Sequence, residues 1–434
     1  MSTLYTRRRL LHLLGAGAGA LTVGGLAACG SDDASSSSAE PGSATNGGDG
    51  QNFTFASWSL TEETPKPVIE GMVNTFASDH GVQIDTVSYP WAEYLNQVTL
   101  QTRGNQFSGA AQLDIAWLSA LSALGMLRDL APLTEGRGYT DAALAAGQLD
   151  GVQYGLPWTI GAIGLVTNTD LLDQAGVAEL PTDIEEFEAA LRELKGLGDG
   201  VIPYAAATKV EALKDALMWM ETFGSPLIDG DQVTIGDDAS VDAITWYKRL
   251  YDDGLIAADV DRFDARSLFA QGRAAIYDDA IVGKAAVLAD SPDADLEAKM
   301  APAARPVVAS GDDPRALLWG HIVVVVDGDG ADTAAEFAQW LTSDEETTVE
   351  YFEQLSLPPS TDAALGSDAV TNDEFTAAFS ERVTATATPS PFWRFPQYAQ
   401  MEAAVAEHIQ AALVGSATPA DAMRAAGEDV QSLI

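Results

Sequence analysis

The sequence contains one cysteine and four histidines among 434 residues. A disulfide framework needs paired cysteines and a structural zinc site needs four nitrogen or sulfur ligands, so neither can be assembled. The histidines, His12, His80, His321 and His408, include no pair at the i, i+4 spacing that would place two imidazoles on one helix face, so no metal site is expected. Positive charge is scarce too: 23 Lys plus Arg stand against 64 Asp plus Glu, a formal charge of −41. Such a surface repels phosphate backbones and anionic lipid headgroups, which argues against a nucleic-acid partner. The chain also lacks a G-x-S-x-G elbow and a P-loop, the commonest marks of hydrolytic and nucleotide chemistry, and no cofactor is expected.

What is present is a core. With 47% hydrophobic and 20% charged residues, the chain can bury a large apolar interior and divide into two domains.

The N-terminus carries Arg7, Arg8 and Arg9, then an apolar Gly/Ala/Leu stretch to Ala28. A charged segment followed by a short, Gly-broken apolar run reads as an export signal rather than a membrane-spanning helix. Paired Arg before two Leu is similar to a twin-arginine signal, with the Sec route as the alternative. Leu26-Ala27-Ala28-Cys29-Gly30 resembles a bacterial lipobox, which implies cleavage after residue 28 and lipidation of Cys29. Diacylation plus N-acylation gives a stable tether where a single chain would not. Cleavage removes three Arg and no acid, giving 20 − 64 = −44, so the tether and not charge attraction would hold the protein at a membrane. Residues 29–51 are dominated by Ser, Asp, Gly, Ala and Asn and are expected to form a flexible spacer.

From Phe53 onward the hydrophobic period switches repeatedly between 2 and 3.6. Phe53, Phe55 and Trp58 alternate as a strand, and Ile69, Met72, Val73 and Phe76 recur at helical spacing before Gly81. The alternation predicts an α/β chain built on a parallel sheet covered on both faces. Two separate strands are expected at Gly151–Pro157 and Ile163–Thr167, and a hairpin around Asp229-Gly230-Asp231;. Thr182 with Glu185, and Ser343 with Glu346, fit the capping-box spacing at helix starts;.

Several segments in order, Leu113–Leu118, Tyr154-Gly155-Leu156-Pro157-Trp158, Leu165–Leu172, Trp246–Gly254, Phe269–Tyr277 and Trp319-Gly320, together resemble the maltose-binding-protein-like family of bacterial extracellular solute-binding proteins. The resemblance covers nearly the whole chain after the spacer. It implies a two-lobed periplasmic-binding-protein-like fold (type II) whose hinged α/β lobes enclose a ligand cleft. Crossings near Gly161, Leu318 and Asp362 would give lobe one residues 52–160 plus 319–362, and lobe two residues 161–318 plus 363–434. It further implies a monomer outside the cytoplasm that captures a sugar in oligosaccharide form and hands it to an ABC permease.

A neutral sugar presents an apolar ring face and a rim of hydroxyls, so its site needs flat aromatic surface with carboxylates, amides or Arg beside it. Trp58, Trp91, Tyr94, Trp117, Trp158 and Trp319 fall at element ends or crossings, where open α/β sheets place ligands. Phe392, Trp393 and Arg394 lie in a Pro-flanked loop where relatives bring ligand contacts. Asp114, Ser119, Asp278, Asp279 and His321 are the polar candidates, with Asp279 as a helix cap and His321 as a core residue in the competing interpretation. Trp219, Trp246 and Trp340 sit inside helical patterns and are assigned to packing. The competing functions are a secreted carbohydrate-active enzyme with paired carboxylates, or the same fold holding a peptide, polyamine or metal.

Overall fold

A computed structural model describes residues 51–434 apart from Ser310. The export signal, Cys29 and the spacer to residue 50 lie outside the described residues. The strands are β1 (Phe53–Ala56), β2 (Ile84–Val87), β3 (Gly109–Asp114), β4 (Gln148–Leu149), β5 (Val152–Gln153), β6 (Gly155–Asn168) and β7 (Ile202–Ala205). They continue with β8 (Ile228–Asp229), β9 (Gln232–Val233), β10 (Ala274–Ala280), β11 (Met300–Ala303), β12 (Ala316–Val326) and β13 (Ala387–Thr388).

Nine of them form one sheet in the order β2-β1-β3-β12-β6-β10-β7, with β11 added to β6 and β13 to β12. The sheet is mixed, which corrects the all-parallel expectation. β1 runs parallel to β2 and β3, but β12 is antiparallel to both β3 and β6, and β6 is antiparallel to β10 and β11. The alternation of strands and helices does not reveal this, because the reversals come from two strands far apart in sequence.

Those two strands, β6 and β12, organise the sheet. The first half of β6 and the second half of β12 stand beside β3, β1 and β2, whereas Ile163–Thr167 of β6 pairs with β10 and Ala316–Leu317 of β12 with β13. Gly161 and Trp319 are register partners midway along the pair. The two short strands expected at 151–157 and 163–167 are therefore one strand of 14 residues; its Gly161-Ala162 dipeptide looked like a break but is paired throughout.

Helices cover both faces. The run Ile322–Val326 is fully buried, as befits a strand packed on two sides. On one face Phe53, Phe55 and Phe76 meet Phe337; elsewhere Phe187, Trp219 and Trp246 form a second aromatic core. Gly81 ends its helix in the left-handed region at φ 66°, a conformation that costs a Cβ-bearing residue more. The helix Ile184–Lys195 is capped by Asp183, which accepts from the amides of Glu185 and Glu186, and Glu345–Leu355 by Asp344. Both caps fall one residue after the expected Thr182 and Ser343. The β8–β9 hairpin forms where Asp229-Gly230-Asp231 marked it.

Candidate functional site

β1 and β3 run parallel, so their C-terminal ends emerge on the same edge of the sheet, the edge where such sheets hold ligands. β1 delivers Trp58 into a 3₁₀ turn and β3 delivers Asp114 and Trp117 into another. The helix Trp91–Arg103, whose first residue is Trp91, adds Tyr94. Trp58 stands edge-on to Tyr94 (centroids 5.2 Å apart), Trp117 (5.3 Å) and His321 (4.8 Å). Trp91 lies 5.4 Å from Trp117 and Trp319 lies 4.8 Å from His321. Six residues thus form one continuous aromatic cluster, in which Trp58, Tyr94, Trp117 and His321 are buried, Trp319 is partly exposed and Trp91 is half exposed at the outer end.

The cluster is held by a polar chain behind it. Ser57 donates to the Gln112 side-chain oxygen at 2.5 Å, the Gln112 amide nitrogen donates to Nδ1 of His321 at 3.2 Å, and the Tyr94 hydroxyl donates to the Gln112 carbonyl. That arrangement leaves Nε2 as the protonated nitrogen of His321. Burial lowers the His321 pKa to about 3, so the ring stays neutral at physiological pH. His321 is therefore both a buried residue and a member of the cluster.

A small cavity, about 40 Å³, opens among residues of the other half of the sheet, lined by Lys214, Glu221, Asp278, Arg305, Trp393 and Glu402 together with Asp215, Ser390 and several apolar side chains. Its charges are mostly tied in pairs. Arg305 donates to Asp278 at 2.6 Å while its guanidinium carbon lies 4.5 Å from the Trp219 ring centroid. Arg262 reaches Asp215 at 2.6 Å and Lys214 reaches Glu402 at 3.5 Å. The Trp393 indole donates to Glu402 at 3.1 Å. Burial would depress the Lys214 ammonium, but Glu402 and Asp215 outweigh it and raise its pKa.

Asp114 ends β3 beside the aromatic cluster, opposite His321 in the sheet register, and feels the charges of the cavity. One carboxylate oxygen accepts from the Ala116 amide at 2.9 Å. Burial pushes its pKa up to about 6, opposed by the fields of Lys214 and Arg262 and reinforced by Glu402. Glu221 is shifted more strongly, to about 7, by burial, with only Arg315 acting against it.

Of the residues expected at a ligand site, the cluster gathers Trp58, Trp91, Tyr94, Trp117, Trp319 and His321, and the cavity takes Asp278 and Trp393. Five others are placed elsewhere. Asp279 follows Asp278 on β10 and so faces the opposite side; it is fully buried and bound by Arg266 through two hydrogen bonds of 2.6 and 2.7 Å. It caps no helix. Trp158 is 1% exposed and stacks on Tyr351 at 4.5 Å, a packing role. Phe392 is wholly buried. Ser119 donates to the Phe395 carbonyl at 3.1 Å, tying the 3₁₀ turn at the cluster to the C-terminal loop. Arg394 bonds the Gly230 carbonyl of the β8–β9 turn and covers the Phe395 ring at 4.6 Å.

Sequence reasoning missed Lys214, Glu221, Arg305 and Glu402. Glu402 carried a usable signal, since it occupies the buried stripe Tyr398, Met401, Val405, Ile409 of its helix, where an unpaired acid is rare. Glu221 closes the apolar run Leu217–Met220. Arg305 follows β11 in an irregular segment and offered nothing comparable.

Residues 71–377 match the family model described as bacterial extracellular solute-binding protein. The chain belongs to this family. It is accordingly a solute-binding protein of an extracytoplasmic class and not an enzyme. The fold is that of two-lobed sugar-binding proteins. It superposes on the GacH receptor of Streptomyces glaucescens GLA.O with a TM-score of 0.77 at 21% identity, covering 88% of this chain and 98% of that one. The maltose-bound MalE3 of T. maritima gives 0.74 at 18% identity over 88% and 100% of the two chains. The cyclic α-maltosyl-1,6-maltose-binding protein of Arthrobacter globiformis gives 0.73 at 21% over 88% and 98%. In sequence, binding proteins of Brucella abortus and Brucella suis are 24% identical over 218 residues, 48% of this chain and 53% of theirs. The solute-binding chain thus spans about half the length of these curated relatives.

Proposed function

We propose that this solute-binding protein is the lipid-anchored receptor of an ABC importer, which captures a sugar, in oligosaccharide form, and delivers it to a membrane permease. The observation that carries the reading is the aromatic cluster at the ligand-holding edge of the sheet, with Trp91 half exposed, together with a cavity of paired charges lined by Trp393. The accessible indoles of Trp91, Trp319 and Trp393 suit the apolar side of a pyranose, with Trp58, Tyr94 and Trp117 packed behind them, and fixed ion pairs offer donors and acceptors already oriented for hydroxyls;. Structural relatives crystallised with acarbose or maltose support the same ligand class.

In this reading the lobes are residues 52–160 with 319–362 and residues 161–318 with 363–434, and they pivot where β6 and β12 cross, at the Gly161–Trp319 pair. Ligand favours the closed form by touching both lobes, and the closed form is what the permease engages. Trp58, Trp91, Tyr94, Trp117, Trp319, His321 and Asp114 act from one lobe, and Asp278 and Trp393 from the other. Lipidated Cys29 and a spacer to residue 51 tether a monomer after export by the twin-arginine or Sec route. Isothermal titration with a panel of mono- and oligosaccharides tests the ligand class: saturable binding without product supports it, and silence across the panel refutes it.

A further inference from the structure

The cavity's ion pairs do not use all its carboxyl groups. Asp278 is taken by Arg305, Asp215 by Arg262 and Glu402 by Lys214. Glu221 lines the same cavity and, among the described residues, makes no ion pair and no side-chain hydrogen bond. Glu221 is partly buried, so water can reach its carboxylate, but it is the one lining carboxylate without a protein cation bonded to it. Another lining residue shows the opposite deficit. Arg305 is 4% exposed, and while its Nε donates to the Arg315 carbonyl and its Nη2 to Asp278, its buried Nη1 has no partner. The site therefore offers one acceptor and one donor unfilled, with the lining carrying four carboxylates against two cations.

We propose that this cavity selects a polyhydroxylated ligand bearing a basic nitrogen, an amino sugar in class, with Glu221 as the counterion and Nη1 of Arg305 donating to a hydroxyl oxygen. The proposal rests on the sugar-binding reading above. An acidic sugar would gain from Arg305 but meet Glu221, Asp278 and Glu402, whereas an ammonium group completes the one carboxyl that lacks a cation. The raised Glu221 pKa fits a carboxyl whose countercharge arrives with the ligand;.

The test is a thermal-shift screen of the purified protein, at pH 6.5, against three saccharide classes of matched sizes and linkages: glucosamine oligomers, neutral glucose oligomers and uronate oligomers. Amine-bearing saccharides should dominate the hits. Titration calorimetry should then give at least tenfold tighter binding than the neutral counterpart, and E221Q should bring that ratio to about one. Hits confined to neutral or acidic saccharides, or a preference that survives in E221Q, would overturn the amino-sugar assignment while leaving the sugar reading intact. Absence of any hit in all three classes would overturn both. Circular dichroism of E221Q separates lost preference from lost fold, and the wild-type ranking decides the matter by itself if the variant fails to fold.

Discussion

Asp278 and Asp279 are neighbours on β10 whose carboxylates serve opposite faces of the sheet, one bonded to Arg305 beside the cavity and the other to Arg266 in the interior. The period of two along a strand separates a cavity-lining residue from one bonded in the interior across a single peptide bond;.

Asp279→Ala should therefore act on stability rather than on binding. Removing one member of a buried pair leaves the other uncompensated, and with Arg266 only partly exposed the loss should be about 3 kcal/mol;. A urea titration measures it. The double variant D279A/R266A should recover part of the loss; a double variant as unstable as the sum of the singles would show that the pair itself is not the cause.

The two tryptophans Trp158 and Trp393 give a second contrast. Trp158 is sealed against Tyr351 and Trp393 lines the cavity. Trp158→Ala should cost about 3–5 kcal/mol of stability by leaving a void, with the affinity of the folded fraction unchanged. Trp393→Ala should weaken sugar binding by about 1–3 kcal/mol, roughly 5- to 150-fold. Calorimetry beside denaturation distinguishes the two, and reversed effects would mean the cavity has been misplaced.

Element types were legible because their signals are local. The Phe53–Trp58 alternation, the Ile69–Phe76 stripe and Gly81 each specify structure within a few residues. Strand direction in β12 was not legible, since its antiparallel partners Gly109–Asp114 and Gly155–Ile163 lie far away in the chain. The aromatic cluster was half legible for the same reason. Trp58 and Trp117 announce themselves as large residues just past strand ends, whereas Trp319, expected before its strand, lies inside β12, and Trp158 looks the same in sequence but stacks on Tyr351. The charged cavity was the least legible part: Arg305 and Glu221 acquire their meaning only when their partners, or the lack of them, are known.

Gly320 sits between Trp319 and His321 where β12 pairs with β6. A Cβ there would lie 2.5 Å from the Thr159 carbonyl oxygen and 2.7 Å from the Ile160 side chain. Gly320→Ala must push the strands apart, so a loss of about 1–3 kcal/mol is expected, together with weaker binding because Trp319 and His321 move with the strand. A variant with wild-type melting temperature and affinity would contradict so close a pairing of the two strands at this point.

Cys29 lies outside the described residues, and its role is tested in the cell. With Cys29→Ala the protein should leave the membrane fraction and appear soluble, because a net charge near −44 gives it no attraction to anionic lipid;. Retention of the variant in washed membranes would refute the lipid anchor.

Three groups make stability depend on pH, in opposing directions. His321 has a pKa of about 3 in the fold against 6.5 unfolded, so the unfolded chain takes up its proton first. The fold then loses stability as pH drops from about 6.5 towards 3. Glu221, at about 7 against 4.5, and Asp114, at about 6 against 3.8, behave in the reverse sense. The native state keeps these protons longer, so stability falls as pH rises through about 4.5 to 7 and 3.8 to 6. Urea midpoints measured from pH 3.5 to 8 should show His321→Gln flattening the acid-side loss and Glu221→Gln flattening the loss towards neutrality. A profile that neither substitution alters would mean that neither group is buried in solution as it is here, and with Glu221 exposed the cavity would no longer hold an unpaired carboxyl to receive a ligand.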